Sequence, residues 1–317
     1  MIVVEGSGLV RRIGLAGKLI GHEDWVNTIE FNRCGDRLVS GSDDMLWNVA
    51  SKALVLSGHA RNVRLGQVAD NGNLQTIELG KHNGRVHKLA VEPGSPHMFY
   101  SCGEDGFVQR FDLRSNSSTK LFCCSTFTGT DNLFSSNILS LNSIIIDPRH
   151  PNYFYLGDCD QYARVYDIRK LPSNKDAPVE TFCPKHLIKT REMQITGLSY
   201  SNTSKLLART LAASQEHVDS LDEPHMYSGH RNNFMVKGVS FFGPDSEHVM
   251  SGLDCVVWKK NDGRVIRIME GNKCIVNQVE PHPNISVFAS SELEKDTTLW
   301  APVSLITFLH WFMSYCR

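Results

Sequence analysis

Apolar positions along the chain fall in short runs bounded by turn residues, the pattern of strands and tight connections rather than of long helices. Val63 to Val68 and Leu74 to Leu79 read as two strands, Ile195 to Ala208 holds two more, and three lie between Val276 and Trp300. Leu9 to Leu15 reads as an outer strand completing that last group, which pins the two ends of the domain together. Ser115 to Asn137 and Lys170 to Lys189 are polar and rich in Ser, Asn, Thr and Pro, so they read as surface loops. A further polar stretch, Ser214 to Pro224, follows the Ile195 to Ala208 pair. Val303 to Tyr315 is the most apolar stretch, but its thirteen residues are short of the about 20 that span a bilayer. It is read as foreign to the domain.

Gly-His pairs punctuate this pattern at Gly21-His22, Gly58-His59 and Gly229-His230, with His82 after Gly80-Lys81 as a looser match. Aromatic strand ends fall at Trp47, Phe111, Tyr166, Trp258 and Trp300. This resembles the WD repeat, whose blades recur at about 40 to 45 residues. The resemblance implies an all-β fold, a seven-bladed WD-repeat β-propeller with some blades incomplete. Its expected organisation is an N-terminal segment with the closing strand at 1–16, the propeller at 17–302 and an apolar tail at 303–317.

In a complete blade of this kind a histidine, a second-strand serine, an aspartate in the next turn and a third-strand tryptophan form a buried hydrogen-bonded set. His22, His59, His230, Trp47, Trp258 and Trp300 are assigned to it as structural residues. Ser101, Asp105 and Phe111 keep its four-then-six spacing, as do Ser290, Glu294 and Trp300. Phe111 and Tyr166 lack an indole donor. Asp44 precedes Trp47 by three positions and Asp254 precedes Trp258 by four, which implies residues lost from those hairpins or third strands. Only 23 positions separate His59 from His82, so the first strand pair of that blade is expected to be missing.

Two neighbouring repeats end alike, in Phe111-Asp112-Leu113-Arg114 and Tyr166-Asp167-Ile168-Arg169, each aromatic six positions after an aspartate, Asp105 or Asp160. These endings resemble the Trp-Asp-x-Arg variant of the repeat found in substrate receptors of cullin-4 ubiquitin ligases. Further strings, HEDWVNTIEF from His22, GEDGFVQRFDLR from Gly103, FCPKHL from Phe182, GHRNNFMVKGVSFFGP from Gly229 and EPHP from Glu280, are similar to the subfamily related to cullin-4-associated factor 8. That subfamily carries complete second and fifth blades, and this chain does not.

The resemblance implies that Arg114 and Arg169 dock on the ligase adaptor, damaged-DNA-binding protein 1, while Asp105, Asp112, Asp160 and Asp167 hold the hairpins that present them. An unknown target protein would then be brought to the ligase. The competing reading is a WD scaffold for a chromatin or signalling assembly, in which both arginines pair within the chain. A third is a product too incomplete to fold.

Thirty-three basic against 34 acidic side chains leave no net field to gather nucleic acid, and no direct nucleic-acid or membrane partner is expected. The nine cysteines include no CxxC pair and no export signal precedes them, so reduced thiols in nucleus or cytoplasm are expected and the Asn116, Asn202 and Asn284 sequons are read as chance. His82 and His87, if on one strand, point to opposite faces and cannot chelate together, and adjacent Cys123 and Cys124 fail likewise. No metal or cofactor is assigned. The phosphate-binding, nucleophile-elbow and zinc-protease motifs are absent, so no catalysis is expected.

Overall fold

The computed structural model describes residues 6–20, 26–31, 38–42, 47–49, 54–59, 61–68, 74–95, 97–127, 136–171, 178–183, 194–201, 206–211, 227, 238–252, 255–269, 276–292 and 296–303. His22, His230, Asp44, Asp254, Glu294, the 214–224 stretch and residues 304–317 of the tail lie outside them, as do the side chains of Trp47 and His59. Among the described residues, apart from a one-turn helix at Gly6–Val10 and a 3-10 turn at Ile168–Lys170, the regular elements are antiparallel strands. Among the described residues four sheets have four strands, two have three and two have two.

The chain divides into two compact units, residues 1–55, 66–75 and 224–317, and residues 56–65 and 76–223. In the first, Val276–Pro281, Phe288–Glu292 and Asp296–Pro302 form a meander whose outer strand is Ile13–Ile20, antiparallel to Asp296–Pro302. The strand expected at Leu9 to Leu15 therefore begins later and runs further, because Gly6–Val10 is helical. Trp300 and Phe288 stack at 6.0 Å and, with Phe242, Met250 and Val257, make an apolar cluster.

Val239–Phe242, His248–Ser251, Val256–Lys259 and Val265–Ile268 form a complete meander in the same unit. The shortened spacing before Trp258 has thus removed no strand. It falls in the tight connection between His248–Ser251 and Val256–Lys259, where Cys255 takes a positive φ of 48°. The sheet Val26–Phe31, Leu38–Ser42, Trp47–Val49 has three strands.

The second unit contains two complete meanders. One consists of Val86–Val91, Met98–Gly103, Phe107–Asp112 and Ser117–Cys123, hereafter the Arg114 sheet. The other consists of Leu141–Ile146, Tyr153–Asp158, Ala163–Asp167 and Glu180–Phe182, hereafter the Arg169 sheet. They share one core of Tyr100, Val108, Phe122, Leu141, Ile144, Phe154, Leu156 and Tyr166. At about 1.5–3 kcal/mol for each large buried apolar side chain, this core fixes the two sheets against each other. Gln194–Tyr200 and Leu206–Leu211 form a two-stranded sheet, the two strands expected around Ile195 to Ala208.

The expected loop Ser115 to Asn137 holds the strand Ser117–Cys123 and a hairpin of Ser125–Phe127 with Ser136–Ile138. Ser117–Cys123 is the outermost strand of its sheet, so its Ser, Thr and Lys side chains face solvent while Leu121 and Phe122 face the core. Polarity came from an edge position, not from irregular backbone. Glu180–Phe182, inside the other expected loop, is likewise an exposed outer strand. Asn62–Val68 and Leu74–Lys81 are joined by a third strand, Leu54–His59, so among the described residues that sheet has three strands and not two.

Candidate functional site

In both complete meanders of the second unit the chain leaves the third strand through an Asp-x-Arg turn. Asp112 accepts the backbone N–H of Arg114 at 3.0 Å, the Nε–H at 3.0 Å and an Nη2–H at 2.8 Å. Asp167 receives the same three bonds from Arg169, at 3.0, 2.9 and 2.8 Å. Each carboxylate thus fixes both the turn and the guanidinium plane. Bonded this closely, the Asp112 carboxyl is held down to about 2, and Asp167 lies below the ordinary carboxylate range for the same reason.

The clamp uses two of the five guanidinium N–H groups, leaving three not bonded to the aspartate. The Arg114 and Arg169 side chains are 66% and 59% exposed. The Arg169 guanidinium also lies 5.9 Å from the centre of the Tyr153 ring, a cation–π contact that adds a second support. The intrachain pairing expected of a purely structural arginine is therefore present, and it coexists with an outward fork suited to a partner's carboxylates or carbonyls.

Asp105 and Asp160 are not at this end. They sit in the turns between second and third strands, separated from the arginines by strands of six and five residues, about 20 and 16 Å. They do not touch the arginine-bearing turns but brace the opposite ones. Asp105 accepts from His82 Nδ1 at 2.8 Å and from the Asn83 backbone at 2.8 Å, while His82 Nε2 lies 2.6 Å from Ser101 Oγ. His82 is buried, and Phe111 fills the aromatic position by stacking on Phe99 at 4.7 Å. Burial raises the Asp105 pKa, and the bonds from His82 and Asn83 outweigh it, leaving the carboxyl below its ordinary value.

The loosely matching His82 is thus the repeat histidine of that sheet. It precedes the Val86–Val91 strand that holds His87, so the opposite-face reading of the two does not apply. His87 lies 3.6 Å from Glu104 instead.

Asp160 belongs to a different network. Arg164 donates to both Asp158 and Asp160, and Asp158 Oδ1 accepts the Asp160 backbone N–H at 3.1 Å. Burial pushes the fully enclosed Asp158 upward, the direction expected where two carboxylates share one guanidinium. In the first unit, Trp300 Nε1 donates to Ser290 Oγ at 2.8 Å, and Trp258 is wholly buried. No cluster of three or more potential metal ligands occurs among the described residues.

Sequence reasoning overlooked a third clamp. Asp262-Gly263-Arg264, in the turn between third and fourth strands of the Val239–Ile268 meander, makes the same backbone and side-chain bonds at 3.1, 2.9 and 2.7 Å. Its Asp-x-Arg spacing was readable, but no aromatic precedes the aspartate.

Residues 14–49 match the family model of the WD domain, G-beta repeat. A solved β-propeller domain, that of Myceliophteria thermophila Cps50 (Swd1), superposes with a TM-score of 0.66 at 16% identity, covering 91% of this chain and 99% of that one. The chain has a β-propeller fold and carries a WD-type repeat at residues 14–49. Among curated proteins it is 31% identical over 273 residues to Protein ALTERED SEED GERMINATION 2 of Arabidopsis thaliana, 67% of this chain and 36% of that protein. It is 30% identical to human WD and tetratricopeptide repeats protein 1, over 56% of this chain and 30% of that protein. To human DDB1- and CUL4-associated factor 6 it is 27% identical, over 61% of this chain and 26% of that protein. The propeller thus corresponds to about a third or less of each relative's length.

Proposed function

We propose that the propeller is the adaptor-docking, substrate-recognition subunit of a cullin-4 RING ubiquitin ligase, and not itself a catalyst. Arg114 and Arg169 contact the adaptor, damaged-DNA-binding protein 1, and an unidentified target protein binds elsewhere on the molecule. The observation that carries this reading is the duplicated clamp: two sheets of one packed unit present an arginine at the same turn in the same geometry. Both guanidinium groups are more than half exposed and so accessible to a partner. Similarity to a protein named as a DDB1- and CUL4-associated factor supports the same assignment.

On this reading Asp112 and Asp167 orient the forks, whereas Asp105 and Asp160 shape the opposite end. The architecture is read as seven blades spanning 17–302, four of them complete among the described residues, with membership of the factor 8 subfamily and work in nucleus or cytoplasm. The alternative, a chromatin or signalling scaffold without ligase docking, draws on the intrachain Asp pairing of both arginines. Co-purification separates the two. Arg169→Ala, alone or with Arg114→Ala, should lose the adaptor while retaining the far-ultraviolet spectrum of the folded protein, and unchanged recovery of the adaptor would overturn the proposal.

A further inference from the structure

In an antiparallel four-stranded meander the first and third connections lie at the same end. In the Arg169 sheet these are residues 147–152 and the turn after Asp167, and they are joined by the Ile168 N–H donating to the Asn152 carbonyl at 2.8 Å. Residues 147–149 repeat the Asp-x-Arg pattern as Asp147-Pro148-Arg149. The buried Asp147 carboxylate accepts the Arg149 backbone N–H at 2.9 Å, as the other clamps do. Its second oxygen instead meets His150 Nδ1 at 3.1 Å.

The Arg149 guanidinium is consequently not drawn back onto its own turn, and among the described residues it makes no hydrogen bond or ion pair. Pro148 and Pro151 restrict the backbone on either side, so the turn is held in place before any partner arrives. Around it Arg149, Arg169 and Lys170 are exposed, while the carboxylates of these turns, Asp147 and Asp167, are buried beneath them. Among the described residues of these two turns, the exposed Lys and Arg side chains are thus not offset by an exposed carboxylate. The matching connection of the Arg114 sheet, 92–97, holds Glu92 and His97 but no Lys or Arg.

We propose that Arg149 is a second binding residue beside Arg169, and that the two together recognise a carboxylate-rich patch on the adaptor protein. This rests on the docking reading above. Arg169 is the clamped, geometrically fixed fork, and Arg149 is the mobile one that adapts to a neighbouring carboxylate. Exposed charge of this kind acts largely through steering and salt-sensitive attraction.

The test measures binding of the full chain to purified adaptor at low and raised salt. Arg149→Glu should weaken binding about 10-fold and flatten its salt dependence, and Arg149→Gln should weaken it about 3-fold. Lys120→Glu makes the same charge change on the exposed face of the Ser117–Cys123 strand and should bind within about twofold of the unaltered chain. Thermal unfolding should not shift, since only the backbone N–H of Arg149 is used by the fold. If Arg169→Ala weakens binding about 10-fold while both Arg149 variants bind normally, the Arg149 proposal fails and docking stands. If Arg169→Ala itself binds normally, the docking reading fails and Arg149 with it. Equal weakening by Lys120→Glu and Arg149→Glu would reduce the effect to general charge and overturn the specific assignment.

Discussion

His82→Ala removes the buried link between the second-strand serine and the turn aspartate of the Arg114 sheet. The imidazole bonds Asp105 at 2.8 Å and Ser101 at 2.6 Å, and its side chain is 0% exposed. Deleting it leaves the Ser101 hydroxyl, itself 0% exposed, without that partner, and removes one of the bonds to a carboxylate 6% exposed. At about 1–3 kcal/mol for each group left unsatisfied, plus a ring-sized void, the expected loss is about 3–5 kcal/mol. For compact units of this size that corresponds to roughly 8–15 °C in Tm. Urea denaturation followed by circular dichroism measures it, and a double-mutant cycle with Ser101→Ala should show coupling of about 1 kcal/mol or more. A loss below about 1 kcal/mol with no coupling would mean that His82 is not the repeat histidine of this sheet.

Three further outcomes follow from the same geometry. Asp158 is raised by burial above its unfolded value, so the native state holds a proton that the unfolded chain has released. Stability should fall as pH rises from about 4 towards 8. Asp158→Asn should abolish that slope in pH-dependent denaturation, whereas a slope equal to that of the unaltered protein would refute the assignment. Gly103→Ala should unfold the Arg114 sheet or cost several kcal/mol, because a Cβ there would collide with the Arg85 carbonyl oxygen. A thermal midpoint unchanged in that variant would contradict the packing. Arg169→Lys should lose most adaptor affinity despite keeping its charge, since an ammonium cannot reproduce the clamped planar fork; affinity equal to that of arginine would show that charge alone is recognised.

The arginine-bearing turns were readable because each is a local device: the aromatic ends a strand, and the aspartate two residues before the arginine closes its own turn. Their internal pairing was foreseen as the competing reading, and its coexistence with outward donors required the geometry. The resemblance groups Asp105 and Asp160 with the arginines, although an extended strand carries them to the opposite end. The clamps at Asp147 and Asp262 went unnoticed because no aromatic announces them. Ser117–Cys123 was misread because an outer strand needs an apolar face on one side only. His82 seemed a weak match since Lys81 replaces the small neighbour expected before it, yet its burial follows from Ser101 and Asp105, whose spacing was intact.

The central claim is tested most directly by measuring the affinity of purified adaptor for the full chain and for the Arg114→Ala, Arg169→Ala double variant under one salt condition. Two clamped arginines at about 1.4 kcal/mol each predict roughly 100-fold weaker binding, with thermal stability retained. Adaptor affinity within about twofold of the unaltered chain would contradict docking through these two turns.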